Sequence, residues 1–227
     1  MIDKIDKKPR VVVLLSGGLD SSVMLYYLKS IGYEVAEALA VNYGQRHSRE
    51  LGAAAQIAEA ARVPFRVADL SALRGLIGGS SQTDDAVPVP EGHYADASMK
   101  ATVVANRNMI LLSVALARAV VLDAPFVALA AHAGDHPIYP DCRPEFVDAL
   151  NEAARLCGYK PRRIVRPFIE SSKAYIANLG RELGVPMGLT WSCYKGQEVH
   201  CGKCGTCVER REAFGLTGVA DPTTYAA

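Results

Sequence analysis

Long apolar runs are missing from this 227-residue chain. None approaches the roughly 20 residues a membrane-crossing helix needs. A dominant charge is missing too: 25 Lys and Arg face 24 Asp and Glu, leaving a net charge of +1. That is too little to grip nucleic acid or an anionic membrane by electrostatics alone. A single tryptophan also argues against a dedicated nucleic-acid binder. The opening Met1-Ile2-Asp3-Lys4 carries no signal-peptide pattern. The expectation is a soluble, cytoplasmic protein whose six cysteines are reduced and free for metal. Two familiar nucleotide signatures are also absent: the Gly-x-Gly-x-x-Gly of dinucleotide folds, and the Lys-Ser/Thr ending of the usual phosphate loop.

What stands instead is Ser16-Gly17-Gly18-Leu19-Asp20-Ser21-Ser22, between the apolar run Val11-Val12-Val13-Leu14-Leu15 and a helical pattern of Val23, Met24, Tyr27, Leu28 and Ile31. A buried strand would deliver the chain to a tight turn, with glycines that let a ligand approach. The next helix would aim its free amides and positive dipole end at the same place. With three hydroxyls converging, this makes an anion site. An acid among phosphates, Asp20, makes sense with magnesium between them.

Half of the residues are hydrophobic, enough for a full core. Strand and helix signals alternate: strands at 11–15, 35–41, 63–67, 126–130 and 163–165, helices at 46–62, 106–121 and 143–157, and a last one from Ser171 or Ser172 to Gly184. The helix at 106–121 is apolar on nearly every side and should be buried. Alternation implies right-handed crossovers and a parallel twisted sheet flanked by helices, with ligands at the carboxyl ends of the strands. The expected division is an α/β nucleotide-binding domain over 1–188 and a small tail over 189–227. Residues 78–98, rich in Gly, Ser, Asp and Pro, read as a lid or a disordered loop.

The tail holds Cys193, Cys201, Cys204 and Cys207, spaced C-x7-C-x2-C-x2-C. Four thiolates this close suit tetrahedral zinc in a closed, structural site, with an iron–sulfur cluster as the rival. His200 adjoins the site and is expected to be exposed. Cys142 and Cys157 read as ordinary packed or substrate-pocket thiols.

The Ser-Gly-Gly-x-Asp-Ser loop resembles that of the PP-loop ATP pyrophosphatases, which split ATP between the α and β phosphates. Five further segments narrow the resemblance: Tyr43-Gly44-Gln45-Arg46-His47, Asn106-Arg107-Asn108, Tyr139-Pro140-Asp141-Cys142-Arg143, Thr190-Trp191-Ser192-Cys193-Tyr194 and Asp221-Pro222-Thr223-Thr224-Tyr225. Together they resemble the 7-cyano-7-deazaguanine synthase family, from Val11 to Tyr225. Two stretches depart from the family pattern. Ala105-Asn106 stands where Pro-Gly or Pro-Ala is typical, and Gly134-Asp135-His136-Pro137-Ile138 replaces an Asp-Tyr-Ser-Gly stretch. Both concern the detail of the pocket.

The resemblance implies conversion of 7-carboxy-7-deazaguanine, ammonia and ATP to the nitrile, with magnesium and zinc, in a homodimer that binds no nucleic acid stably and no membrane. It places ATP at Leu15, Ser16, Gly17, Gly18, Leu19, Asp20, Ser21, Ser22, Val23, Met24 and Leu25, and zinc on the four cysteines of the tail. Asp20, Arg107 and Lys173 become catalytic candidates; Gln45, Arg46, Asn108, Tyr139, Asp141 and Arg143 become substrate contacts. In this scheme the carboxylate of Asp141 would pair with the N–H edge of the base, and His47 would stand near the nucleotide. The residues also admit blander roles: a surface lysine at 173, a cap at Asn106, a salt-bridged turn at Asp141 and Arg143. Three other functions compete with this one. A PP-loop tRNA thiolase would want a basic extension, a glutamine-fed ligase would want a glutaminase domain, and a zinc-knuckle nucleic-acid binder would want more positive charge.

Overall fold

The computed structural model describes residues 8–46, 48–94 and 97–226. His47, one of the candidate nucleotide contacts, lies outside them. Five strands, β1 (Arg10–Leu14), β2 (Glu34–Asn42), β3 (Phe65–Asp69), β4 (Phe126–Ala128) and β5 (Arg163–Val165), form one sheet in the order β3-β2-β1-β4-β5. Every pairing is parallel. Six helices connect or follow them: α1 (Leu19–Ser30), α2 (Arg49–Ala60), α3 (Arg107–Val121), α4 (Pro144–Leu156), α5 (Lys173–Glu182) and α6 (Gly205–Thr217).

Alternation along a strand sends successive side chains to opposite faces. Val11 and Val13 therefore enter one core layer with α1, α2 and α5, whereas Val12 and Leu14 enter the other with α3 and α4. A strand buried on both faces must be apolar throughout, which is why β1 reads as an unbroken run. Connections leave β1 toward β2 on one side and the sheet continues through β4 on the other. The β1 carboxyl end is thus the switch point where a crevice opens.

Three expectations change. The helix at α3 is not buried all round: Leu112, Ala115, Leu116 and Ala119 face the sheet, while Val121 is 72% exposed. A helix in an outer layer has only one face to bury. The long loop is packed rather than open, with Ser80, Ser81, Gln82 and Thr83 all buried. Its position is fixed by Arg46, whose guanidinium donates to the Asp85 carbonyl at 2.6 Å, and by Arg74, 2.7 Å from the Asp85 carboxylate. Cys157 lies exposed at the end of α4 rather than packed.

The tail holds a helix that the sequence pattern did not announce. α6 follows directly on Cys204 and sends Ala213 and Phe214 into the main core. Its Arg210 is wholly buried and ties the last family-like segments together. It donates to Thr190 Oγ1 at 2.8 Å, to Ser192 Oγ at 3.2 Å and to Asp221 at 3.1 Å. A buried guanidinium must satisfy its donors in this way, because an unpaired one would cost several kcal/mol, about 3–5.

Candidate active site

The loop after β1 is built as an anion cradle. Gly17 adopts φ 82°, and a Cβ there would meet the Glu50 carbonyl at 2.2 Å and the Ala54 amide at 2.7 Å. Gly17 therefore makes room for α2, not for a ligand as expected from sequence. Ser22 Oγ donates to the Gly18 carbonyl at 2.7 Å, and the Ser16 and Ser21 hydroxyls meet at 3.0 Å. Two of the three hydroxyls are thus spent largely on shaping the turn, with Ser16 left exposed. The first intrahelical bond of α1 runs from Ser22 N–H to Gly18, so the amides of Leu19, Asp20 and Ser21 have no acceptor within the helix.

Lys173, the first residue of α5, is not a surface lysine. Its Nζ lies 2.5 Å from Asp20 Oδ2 and 3.3 Å from Glu209 Oε2 on α6. His132 sits behind the pair, with Nε2 4.0 Å from Asp20, 3.6 Å from Asp135 and 3.6 Å from Glu209. Burial pushes the Asp20 carboxyl up, but Lys173 and His132 outweigh it and hold the group below the usual range. For Lys173 burial pulls down, and the surrounding carboxylates raise it well above an ordinary lysine. Asp20 Oδ1 is buried with no hydrogen-bond partner. A free carboxylate oxygen beside a phosphate cradle is what a hard cation takes, so the site fits magnesium. His132, Asp135 and Glu209 were not foreseen from the sequence; no short motif links residues on three separate segments.

A cavity of about 230 Å³ opens from this cluster across the carboxyl ends of β1, β2 and β4. Tyr43, Tyr94, Tyr139 and Tyr194 line it, together with Arg107, Asn108 and Glu50. The Arg107 guanidinium lies over the Tyr139 ring at 5.5 Å, and among the described residues no carboxylate is within ion-pair distance of it. Burial lowers the Arg107 pKa, yet the tyrosines around it leave the group well above its ordinary value. It is a permanent cation whose planar donor fork suits a carboxylate or phosphate. Asn106, just before α3, adopts φ 52° without capping through its side chain, a left-handed geometry that glycine and asparagine tolerate.

Several expected contacts sit elsewhere. Asp141 Oδ2 accepts the Asn108 amide at 2.9 Å, and Arg143 donates to the His136 carbonyl at 2.9 Å. Neither lines the cavity; both hold the turn before α4. Gln45 is absorbed by its own turn: its Oε1 accepts the Tyr43 amide, and its Nε2 donates to Glu50 at 2.8 Å. Arg46 holds the long loop, as above. Tyr139 and Asn108 do line the cavity, as does Cys142, whose thiol is pushed up by burial.

The four cysteines of the tail are buried, and their sulfurs all lie within 4.8 Å of one another. Backbone amides of Cys201, Lys203 and Cys204 point at the sulfurs from 3.2–3.4 Å. Four converging thiols with amide donors fit a tetrahedral thiolate-bound metal. His200 is buried, not exposed. It stacks on Trp191 at 4.2 Å and accepts the Ser192 amide at 3.0 Å through Nε2. Burial pulls its pKa down to about 4, keeping it neutral. Trp191 in turn donates its amide to the Gly17 carbonyl at 2.9 Å, so the tail touches the phosphate loop directly. Trp191, Ser192, Tyr194 and Thr206 form part of the cavity wall.

Residues 10–218 match the family described as queuosine biosynthesis protein QueC. The chain belongs to that family. It is 52% identical over 216 residues to a 7-cyano-7-deazaguanine synthase of Pseudoalteromonas atlantica, covering 95% of this chain and 98% of the relative. A synthase of the same name from Hahella chejuensis is 50% identical over 216 residues, covering 95% and 93%. Another from Rhizobium leguminosarum bv. trifolii is 50% identical over 220 residues, covering 95% and 92%. QueC membership agrees with the family resemblance carried by the loop, the tail and the segments between, and not with a thiolase.

Proposed function

We propose that this chain makes 7-cyano-7-deazaguanine from 7-carboxy-7-deazaguanine, ammonia and ATP. A carboxylate resists ammonia because its charge repels nucleophiles and oxide is a poor leaving group. Adenylation removes both obstacles. A carboxylate oxygen attacks the α-phosphorus, the bond to pyrophosphate breaks, and an acyl adenylate forms. Ammonia then adds to the carbonyl and AMP leaves with that oxygen, giving the amide. The amide oxygen attacks a second ATP, pyrophosphate leaves again, and loss of AMP with two protons yields the nitrile.

The single observation that carries this proposal is Arg107, a cation with no carboxylate partner among the described residues, in the cavity that also holds Asp20 and Lys173. Arg107 would seat the substrate carboxylate, and later the transferring phosphate, in reach of the loop. Free amides at the start of α1 and the Lys173 ammonium would take up the charge on departing pyrophosphate. Residues Leu15 to Leu25 would form the ATP site, with Tyr139 and Asn108 as further substrate contacts. Magnesium would be held by Asp20 and would screen phosphate charge when bound. Zinc would be held by Cys193, Cys201, Cys204 and Cys207, fixing the tail of 189–227 against the core of 1–188. The implied setting is cytoplasmic, and the implied assembly a homodimer.

The test is direct. Purified protein is supplied with ATP, magnesium, ammonium and 7-carboxy-7-deazaguanine, and the products are identified by mass. Nitrile and AMP are expected; their absence from zinc-loaded protein would remove the proposal.

A further inference from the structure

Three carboxylates line the cavity, and two of them are already engaged. Asp20 is held by Lys173. Asp135 accepts the Tyr94 hydroxyl at 3.0 Å and the His132 amide at 3.1 Å. The third is Glu50, in the first turn of α2. Its hydrogen-bond partner is neutral, the Gln45 amide at 2.8 Å, and no Lys or Arg among the described residues pairs with it. Gln45 is itself fixed, donating also to the Val41 carbonyl and accepting the Tyr43 amide. The Glu50 carboxyl is therefore held by Gln45 through one oxygen, and among the described residues its other acceptor positions have no side-chain donor.

Burial pushes the Glu50 carboxyl up to about 7, against the opposing pull of the Gln45 hydrogen bond and the Arg107 charge, and two donors from a ligand would favour its ionised form. The cavity thus carries a cation at one place and an uncommitted acceptor at another. A 7-carboxy-7-deazaguanine has the complementary polarity. Its carboxylate is an anion, and its pyrimidine edge presents two adjacent donors, ring N1–H and the 2-amino group. Two parallel donors suit one carboxylate. The corresponding edge of adenine offers a donor beside an acceptor, and a carboxylate would face that acceptor with like charge.

We propose that Glu50, positioned by Gln45, reads the N1–H and 2-amino edge of the deazaguanine and sets specificity for a guanine-like base. The role expected of Asp141 passes to Glu50. This inference rests on the substrate proposed above. A site built to accept donors discriminates strongly against a ligand that lacks one, by about 10⁴-fold in favourable cases, because its buried acceptor is left unpaired.

The experiment compares 7-carboxy-7-deazaguanine with its analogue lacking the 2-amino group, as substrates and as ligands in calorimetry, for the wild type and Glu50→Gln. The isosteric variant keeps a partner for Gln45, and its fold is checked by thermal melting and by its affinity for ATP. The wild type is expected to prefer the amino-bearing substrate by at least about 10³-fold in kcat/KM. Glu50→Gln should raise KM for that substrate about 100-fold and erase most of the preference, with KM for ATP unchanged. A variant that retains the preference, or one whose loss falls on ATP, would overturn the inference. A wild type that turns over both substrates equally would overturn it as well. A wild type that binds neither and forms no nitrile would remove the functional proposal itself, and this inference with it. Asp141→Asn is the control: it should lower thermal stability and leave the preference intact.

Discussion

Glu209 stands two residues beyond Cys207 on α6, and its carboxylate reaches to 3.3 Å from Lys173 Nζ. Lys173 in turn holds Asp20 of the phosphate loop. Two residues that look remote in sequence therefore join the cysteine cluster to the nucleotide site by one ion pair. The tail is a wall of the cavity rather than an appendage.

Replacing Lys173 with Met leaves Asp20 and Glu209 without their shared cation, so it should lower stability by about 3–5 kcal/mol. In the protein that remains folded, kcat should fall by about 10²–10³, the usual cost of losing one charge-stabilising donor in a closed site. Steady-state kinetics at saturating ATP checks this. A loss confined to KM would place Lys173 in ground-state binding alone.

Breaking the cysteine cluster should damage nucleotide binding from a distance. Cys204→Ser is expected to lose bound zinc, measured by elemental analysis, and to weaken ATP binding at least 10-fold on the scale of a lost metal ligand shell. The route is Trp191 to Gly17 and Glu209 to Lys173. Unaltered ATP affinity in a zinc-free variant would show that the tail is decorative.

Gly17→Ala tests why the loop needs glycine. A Cβ at φ 82° would press on backbone atoms of α2, which cannot yield as a side-chain tip can. The expected loss is on the order of 3 kcal/mol, with α2 displaced and Glu50 with it. Thermal denaturation reads this, because about 1 kcal/mol moves the midpoint of a chain this size by roughly 2–4 °C.

Glu37 is buried between Arg118, at 2.6 and 2.8 Å, and Arg66, at 3.1 Å. The hydrogen bond from Arg118 holds its carboxyl below the ordinary value of 4.5 against the upward push of burial. A lowered carboxyl stabilises the fold fully above 4.5, and that contribution fades as pH falls through the lower native value. Glu37→Gln should cost about 2 kcal/mol at neutral pH, and the gap to wild type should close in acid. A gap that persists unchanged down to pH 2 would contradict the assignment.

Much of this was legible in the chain, for identifiable reasons. The parallel order of strand and helix follows from periodicity, and the loop and cysteine cluster are contiguous, so spacing alone exposes them. Arg107 was legible as a candidate because it opens a helix in a recognisable segment. Glu50 was not, because a glutamate in a helical first turn looks like a solvated residue. Glu209 and Arg210 were hidden for a similar reason: α6 has a polar-looking sequence, and it follows directly on the cysteine-rich turn rather than on a strand. Asp141 shows the opposite limit. A carboxylate beside a cavity segment suggests a ligand contact, but its oxygen was needed by the first turn of α3.

The central claim is that the carboxylate is activated twice by adenylation at the loop formed by Ser16 to Ser22. Substrate labelled with ¹⁸O in both carboxyl positions, turned over in unlabelled water, tests it most directly. Each AMP released is expected to carry one labelled oxygen, with none in pyrophosphate and none left in the nitrile. Label in pyrophosphate or inorganic phosphate, or AMP without label, would contradict it.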